Sequence, residues 1–210
     1  MILILDFGSQ YTQLIARKIR ALGVYAEIFS PFVTEAKAAS LRPHGIILSG
    51  GPASVYGKNA PRLPDWVLTH QVPVLGICYG MQLLALAHSG KVAGSKQREY
   101  GLAHLRIRAK SPLLENLSKT GRVWMSHGDK VEELPPDFKR LADSANCRFA
   151  AMAHKKKPLY GIQFHPEVFH TEEGEQWLRN FVLGICKVPR DWKMKDFVEH
   201  SIETLRTEIG

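Results

Sequence analysis

The sequence is poor in cysteine. It has only three, an odd number, and they are widely spaced. Such usage argues against a disulfide framework and for a reducing compartment. No apolar run approaches the roughly 18 residues that a membrane-spanning helix needs. The chain also starts directly in an apolar strand pattern, without the basic segment that begins a signal peptide. We therefore expect a cytoplasmic protein that does not contact a membrane.

Concentrated positive charge is also scarce, although the formal net charge is +8. The one tight run of lysines lies at residues 155–157, where a hairpin turn is expected, and other basic residues are mixed with acidic ones. Scattered charges of this kind are typical of a solvated face, so we predict no nucleic-acid partner. The sequence has no H-E-x-x-H or C-x-x-C spacing, and we predict no metal site.

Strand and helix patterns alternate in the first half of the chain. Apolar runs at residues 2–5, 24–29, 45–48 and 74–77 predict strands, and helices are expected near residues 14–22, 34–41 and 63–69. Strands that are apolar throughout indicate a parallel sheet covered on both faces. After residue 90, strands are expected at 102–108, 122–126, 149–153 and 159–164 with no helix between them. The predicted fold is α/β: a mostly parallel central sheet with helices on both faces, an added antiparallel segment, and a closing helix near 173–183.

Residues 76–80 (Gly-Ile-Cys-Tyr-Gly) join an apolar strand pattern to an apolar helix pattern. This is the layout of a nucleophile elbow in which Cys78 replaces serine. The tight turn favours small residues beside the nucleophile, and the helix behind it directs free N–H groups at the sulfur, which favours thiolate. The alternative is an ordinary buried cysteine in an α/β core.

A base for this nucleophile is available after the last predicted strand. His165, Pro166 and Glu167 follow residues 159–164. A histidine just past a strand end lies at the edge where loops carry chemistry, and Pro166 stiffens the backbone there. Glu167 can reach back to orient the imidazole of His165, as in a catalytic triad. Together these residues predict a Cys–His–Glu triad.

These motifs resemble the class I glutamine amidotransferases, and residues 46–52 add a buried strand that ends in a Gly-Gly-Pro turn. Residues 6–13, 78–82, 124–129 and 165–168 are similar in finer detail to the glutaminase domain of GMP synthases. The resemblance covers residues 1 to about 186 and implies a flavodoxin-like fold. It also implies that L-glutamine is the substrate.

The resemblance implies a role for individual residues. Cys78 is the expected nucleophile, His165 the general base and acid, and Glu167 the residue that orients His165. The N–H groups of Tyr79 and Gly51 are expected to form the oxyanion hole. The expected substrate-binding residues are Gln82, Gly50, Ser126, His127 and Gly128.

Two stretches allow other interpretations. His127 could be mistaken for a second base, but a structural or interface role is favoured. Residues 49–54 look like the S-G-G-x-D-S loop of ATP pyrophosphatases, yet Ala53 replaces the aspartate and Pro52 removes an N–H that a phosphate cradle would use.

Gln10 and Tyr11 belong to the motif that resembles the family and receive no role from the sequence. Cys147 and Cys186 are interpreted as packing residues.

The end of the chain has a different character. We predict a glutaminase domain at residues 1–186, followed at 187–210 by a linker with an amphipathic helix near 192–209. By resemblance to fused GMP synthases, this helix would lead toward an ATP-pyrophosphatase domain or subunit. The chain is therefore either one domain of such an enzyme or a separate subunit. No cofactor is expected in this part, and ATP and magnesium are expected only in the partner.

The function expected from the sequence is hydrolysis of L-glutamine to glutamate and ammonia. The ammonia would serve an ATP-dependent synthetase that aminates XMP to GMP. The alternatives are an amidotransferase for another acceptor, a γ-glutamyl hydrolase of the same fold, and a non-catalytic regulatory subunit.

Overall fold

The computed structural model describes residues 1–193 and residue 206, and it describes only the backbone of residues 95–98. The predicted helix near 192–209 therefore lies almost wholly outside the described residues. The strands are β1 (Ile2–Leu5), β2 (Ala26–Phe29), β3 (Gly45–Leu48), β4 (Val74–Ile77), β5 (Lys91–Ile107), β6 (Thr120–Glu133), β7 (Phe138–Asp143), β8 (Ala151–His154) and β9 (Leu159–Ile162). The helices are α1 (Thr12–Ala21), α2 (Glu35–Ser40), α3 (Trp66–Thr69), α4 (Tyr79–Ala87) and α5 (Gly174–Arg179), with a 3-10 turn at Pro112–Leu114 and a π-helical turn at Asn180–Ile185.

All strands belong to one nine-stranded sheet with the order β2-β1-β3-β4-β9-β8-β7-β5-β6. The half from β2 to β9 is parallel, and β8, β7, β5 and β6 extend it in antiparallel fashion. The α/β fold class and the added antiparallel segment are thus confirmed. The antiparallel extension is larger than expected, so the sheet is mixed and about half of its pairings are parallel.

Each face of the parallel half has its own core. On β1, Ile2 and Ile4 point to the face that α1 and α5 cover, whereas Leu3 and Leu5 point to the face that α2, α3 and α4 cover. This alternation is the two-residue period of a strand, and full burial on both sides explains why the strand is apolar throughout. Each such side chain contributes roughly 1.5–3 kcal/mol by its burial.

The antiparallel extension differs most from the sequence-based expectation. β5 and β6 are longer than predicted, β7 was not predicted, and residues 127–129, which follow the strand predicted at 122–126, lie inside β6. The reason is that β6 alternates between buried and partly exposed residues, so polar residues interrupt the apolar pattern without ending the strand. The pairing of β5 with β6 shifts register between Gly94 and Glu99.

The chain after the π-helical turn remains attached to the domain. The Arg190 Nε atom donates to Leu22 O at 3.0 Å, and the Trp192 N–H donates to Gly23 O at 3.1 Å. Gly23 follows the C-terminal end of α1, with φ +80° and its N–H bonded to Arg20 O. The first residues of the predicted linker therefore pack against the end of α1.

A buried carboxylate ties the antiparallel extension together. The side chain of Asp143 is 6% exposed and pairs with Arg106 at 3.0 Å, Arg108 at 2.6 Å and Arg140 at 3.4 Å. Burial alone would raise the pKa of Asp143, but hydrogen bonds from Arg108 and Arg106 hold it below its ordinary value of 3.8. The carboxylate therefore stays charged and joins β5 to β7.

We expect Asp143→Asn to lower the free energy of unfolding at pH 7 by about 1–3 kcal/mol, because three arginines lose their shared anion. The lowered pKa makes this stabilisation present above about pH 3.8 and lost as the pH falls through the native pKa. Urea unfolding at pH 7 and near pH 3 measures both effects. Glu133→Gln is the matched control, since its ion pair with Lys91 is more than 60% exposed on both sides and should contribute little. Equal stability of the two variants at pH 7 would contradict the assignment.

Candidate active site

The turn that contains Cys78 has the geometry of a nucleophile elbow. Cys78 lies between β4 and α4 with φ +50° and ψ −104°, a strained conformation for a residue with a side chain. Its N–H is held by Ile162 O at 2.7 Å. The side chain sits at the carboxyl edge of the sheet and is 4% exposed. The predicted elbow is therefore present.

The flanking glycines are required for a reason that differs from the one expected. Neither Gly76 nor Gly80 has positive φ, so the strained backbone is confined to Cys78. A Cβ on Gly76 would lie 2.5 Å from the Gly80 carbonyl, and a Cβ on Gly80 would lie 2.5 Å from Leu48 O. The glycines are needed because α4 packs directly on the ends of β3 and β4.

The base and its orienting carboxylate are both buried. His165 Nδ1 lies 2.8 Å from Glu167 Oε1, with the two side chains 4% and 0% exposed. The backbone of His165 is also held, because its N–H donates to Trp124 O and its carbonyl accepts from Thr171 Oγ1 at 2.6 Å. The ring of Tyr11 meets the imidazole edge-on, at 5.2 Å between centroids. Tyr11, which the sequence left without a role, thus packs against the imidazole of His165.

The electrostatics of this pair favour the protonated imidazole. Burial alone would lower the pKa of His165, but hydrogen bonds to Cys78 and Glu167 and their negative charge raise it to about 10. His165 therefore holds a proton beside the sulfur over the physiological range. An imidazolium next to a cysteine is the arrangement that activates a thiolate nucleophile and supplies an acid for a leaving group.

The structure adds Gln163 to the predicted site. Its Nε2 lies 3.6 Å from Cys78 Sγ, and its Oε1 accepts from Gln82 Nε2 at 3.4 Å. Its burial is complete. A polar residue inside the otherwise apolar pattern of residues 159–164 was the available signal, and sequence analysis did not use it.

Gln82 connects the elbow helix to the antiparallel extension. The Nε2 atom donates to Asp129 O at 2.7 Å as well as to Gln163 Oε1, and the residue is 3% exposed. Both bonds use the amide nitrogen, which leaves the amide oxygen for another donor. The prediction that Gln82 contacts the substrate stays a prediction, and the structure places its side chain in the wall of the cavity.

Two residues expected to supply oxyanion donors, Tyr79 and Gly51, line the same cavity as Cys78. Tyr79 is the first residue of α4, so its N–H has no acceptor within the helix. The N–H of Gly51 has no acceptor among the described residues. Gly50 lies against the imidazole, since a Cβ there would be 2.9 Å from His165 Cε1. Gly51, Tyr79 and His165 thus border the cavity that Cys78 lines.

These groups face a common cavity of about 450 Å³. The predicted residues that line it are Gly51, Cys78, Tyr79, Gln82, Ser126, His127, Gly128 and His165; Ser9, Gln10, Tyr11, Tyr100 and Asp129 line it too. The predicted residues Gly50 and Glu167 lie behind the lining. The volume suits a small molecule such as an amino acid.

His127 belongs to a second buried pair. Its Nε2 lies 3.3 Å from Glu99 Oε2, and the two side chains are 2% and 11% exposed. The two residues are also direct partners in the β5–β6 register. This contact supports the interpretation of His127 as a residue that shapes the cavity wall.

The remaining cysteines, Cys147 and Cys186, are buried outside the cavity. Burial raises the pKa of Cys147 to about 12 and also raises the pKa of Cys186 above its ordinary value. All three cysteines are free. Among the described residues, no group of three or more His, Cys, Asp or Glu side chains could hold a metal ion, and no helix is long and apolar enough to cross a membrane.

The family model of class I glutamine amidotransferases matches residues 3–185. The chain is a class I glutamine amidotransferase. This membership confirms the resemblance that the motifs indicated. The nucleophile elbow and the His165–Glu167 pair thus occur in a family that uses glutamine.

Several relatives of this amidotransferase are informative. It is 51% identical over 209 residues to the GMP synthase (glutamine-hydrolyzing) of Vibrio parahaemolyticus, and 50% identical to that of Vibrio cholerae. These matches cover 100% of the chain but 40% of each relative's length. Among solved structures, a candidate GMP synthase component of Thermoplasma acidophilum is 31% identical with a TM-score of 0.78, covering 89% of this chain and 93% of that one. A glutamine amidotransferase of Thermotoga maritima, at 18% identity, TM-score 0.65 and coverage of 90% and 86%, shows the fold alone.

We expect Glu167→Gln to lower the pKa of His165 from about 10 toward its ordinary 6.5, because one of its two negative neighbours is lost. The raised pKa stabilises the fold fully below about pH 6.5, and this stabilisation is lost as the pH rises through about 10. The native chain should therefore lose stability across that window, and the variant should lose less.

An NMR titration of the His165 ring and urea unfolding between pH 6 and 10 measure the two effects. Glu175→Gln is the control, because Glu175 is exposed and pairs only locally with Arg179. An unchanged titration of His165 in Glu167→Gln would show that the carboxylate does not set its charge.

Proposed function

We propose that the chain hydrolyses the side-chain amide of L-glutamine to glutamate and ammonia through a thioester on Cys78. The observation that carries this proposal is the convergence of the strained Cys78 elbow, the buried His165–Glu167 pair and two unpaired N–H groups on one cavity. Each component supplies a separate need of acyl transfer: a nucleophile, a base that becomes an acid, and oxyanion donors.

The steps follow from these positions. The Cys78 thiolate attacks the amide carbon, and the N–H groups of Tyr79 and Gly51 donate to the oxyanion that forms. The imidazolium of His165 then protonates the leaving nitrogen, and ammonia departs from the resulting thioester. Neutral His165 next takes a proton from water as the water oxygen attacks the thioester. The C–S bond then breaks, the released carboxyl group loses its proton to solvent as glutamate leaves, and the Cys78 thiolate and His165 imidazolium are restored.

The other end of glutamine is proposed to bind at the β6 wall of the cavity. Ser126, His127 and Gly128 line that wall, and Ser126 O is 3.6 Å from Cys78 Sγ. The Asp129 Oδ2 atom is buried and lacks a hydrogen-bond partner among the described residues. A carboxylate oxygen in this state suits the α-ammonium group of an amino acid.

We further propose that the ammonia serves GMP formation in a synthetase that is joined to or associates with this chain. The named relatives are GMP synthases of which the chain spans 40%. We assign the ATP-dependent amination of XMP to the part of such an enzyme that this chain does not cover. ATP and magnesium are therefore assigned to that part as well. Ammonia has to travel unprotonated to remain nucleophilic, which favours contact between the two parts. A cytoplasmic location fits three free cysteines.

The alternatives differ in the amine that leaves the glutamyl group, in the acceptor of the ammonia, or in the absence of catalysis. A γ-glutamyl hydrolase of the same fold would cleave γ-glutamyl peptides, and another amidotransferase would deliver ammonia to a different acceptor. A regulatory subunit would not need the strained conformation of Cys78 or a buried charged pair. The intact catalytic geometry argues against that last alternative.

We expect the chain to release ammonia from L-glutamine and Cys78→Ala to reduce this release to background, a loss on the order of 10⁴-fold or more. A coupled glutamate dehydrogenase assay measures ammonia directly. Cys186→Ala is the matched control, since Cys186 is buried away from the cavity and should leave turnover unchanged. Faster cleavage of a γ-glutamyl peptide than of glutamine would favour the hydrolase instead.

The pathway is tested by adding the remaining part of the Vibrio parahaemolyticus GMP synthase with ATP, magnesium and XMP. We expect GMP to form from glutamine with the native chain and not with Cys78→Ala. Ammonium chloride should support GMP formation with either. GMP formation from ammonium but not from glutamine, despite ammonia release by the chain, would count against the GMP assignment.

A further inference from the structure

The peptide that presents the Gly51 N–H is unusually free to rotate. Glycine is required on both sides of it: a Cβ on Gly50 would lie 2.9 Å from His165 Cε1, and a Cβ on Gly51 would lie 2.6 Å from Phe7 O. Two adjacent glycines give a peptide unit the least steric restriction of any pair. Gly50 and Gly51 let the backbone approach His165 and Phe7 closely. Because neither residue has a side chain, steric contacts do not fix the direction of the Gly51 N–H.

The Ser49 hydroxyl supplies this control. It accepts from the Phe7 N–H at 2.9 Å and donates to Gly50 O at 2.8 Å. The other possible acceptor, Asp6 Oδ1, is 3.5 Å away and already accepts from the Gly8 N–H and Thr12 Oγ1. Ser49 is completely buried, so water does not compete for the proton. The hydroxyl proton consequently points at the Gly50 carbonyl.

Holding that carbonyl also sets the direction of the neighbouring N–H. In a trans peptide the C=O and N–H bonds point in opposite directions. With Gly50 O turned toward Ser49, the Gly51 N–H points to the opposite side, and Gly51 lines the cavity. A flip of the peptide would break the bond to Ser49 and aim a carbonyl oxygen at the place where the oxyanion forms.

The backbone of Ser49 is fixed as well. Its N–H donates to Leu5 O at 3.0 Å, and its carbonyl accepts from the Gly80 N–H at 3.1 Å. Gly80 directly follows Tyr79, which presents the second oxyanion donor. One buried serine thus connects to both halves of the oxyanion hole, through its hydroxyl to Gly51 and through its carbonyl to the elbow.

We propose that Ser49 is a positioning residue whose hydroxyl holds the Gly50–Gly51 peptide in the catalytic orientation, so that the oxyanion hole is formed before glutamine binds. This inference rests on the proposed glutaminase function. Removal of the hydroxyl allows the peptide to flip, and loss of one oxyanion donor reduces kcat by about 10²–10³-fold in enzymes of this chemistry. Since only the flipped fraction is inactive, we expect Ser49→Ala to lower kcat at least about tenfold.

The test compares native chain, Ser49→Ala and Ser144→Ala. Ser144 is a matched control because it is buried, accepts from the Cys147 N–H at 3.1 Å and does not line the cavity. We expect Ser49→Ala to lower kcat for glutamine with KM nearly unchanged, and to weaken binding of the glutamine aldehyde analogue, which forms an oxyanion on Cys78. Alkylation of Cys78 by iodoacetamide forms no oxyanion, so its rate should be unchanged.

Each outcome has a distinct meaning. A kcat within twofold of the native value would overturn the proposal, and so would a parallel loss of alkylation, which would show general damage to the site.

Ser49→Thr keeps the hydroxyl and should recover most of the lost turnover. If Ser49→Ala does not fold, Ser49→Cys offers similar volume with a weak donor and is compared by turnover and aldehyde binding. A native chain that binds the aldehyde but releases no ammonia would contradict the proposed function and leave the aldehyde comparison as the test of Ser49.

Discussion

The active site depends on how closely α4 approaches the strand ends beneath it. Gly76 and Gly80 remove the side chains that would keep the helix away from β3 and β4, and no other residue fits at either position without backbone movement. This approach accompanies the strained turn at Cys78 and places the N-terminus of the helix directly after that residue. It also brings Gly80 within hydrogen-bond distance of Ser49 O. The catalytic geometry is thus a result of packing in the parallel half of the sheet.

Strand order then brings the remaining groups to the same place. β3, β4 and β9 are neighbours in the sheet, so the Gly50–Gly51 turn, Cys78 and His165, the proposed oxyanion turn, nucleophile and base, follow their carboxyl ends side by side. Burial there would disfavour a charged His165 on its own. The contacts with Glu167 and Cys78 reverse that preference, which lets the domain keep an ion pair in a nearly dry environment. The antiparallel half contributes the opposite wall through β6.

The sequence predicted the chemistry better than the wall around it. The short apolar strands of the parallel half end at Cys78 and His165, and these motifs are local, so the triad could be predicted directly. The long pairing of β5 with β6 could not, because its polar faces weaken the apolar pattern and its register depends on residues far apart in the chain. Gln163 interrupts the apolar pattern of residues 159–164, but only the folded structure shows that its side chain lies 3.6 Å from Cys78 Sγ. The need for glycine on both sides of Cys78 was predicted correctly. The physical reason is the close packing of α4 on the strand ends.

The strained backbone conformation of Cys78 opposes the stability of the domain to its proposed activity. A side-chain-bearing residue at φ +50° costs on the order of 1–3 kcal/mol, a sizeable part of the net stability of a domain. The surrounding sheet and helix have to be stable enough to hold that conformation against relaxation. A glycine at position 78 would relieve the strain and remove the nucleophile together. The residue that the reaction requires is therefore one that selection for a more robust fold, acting alone, would replace.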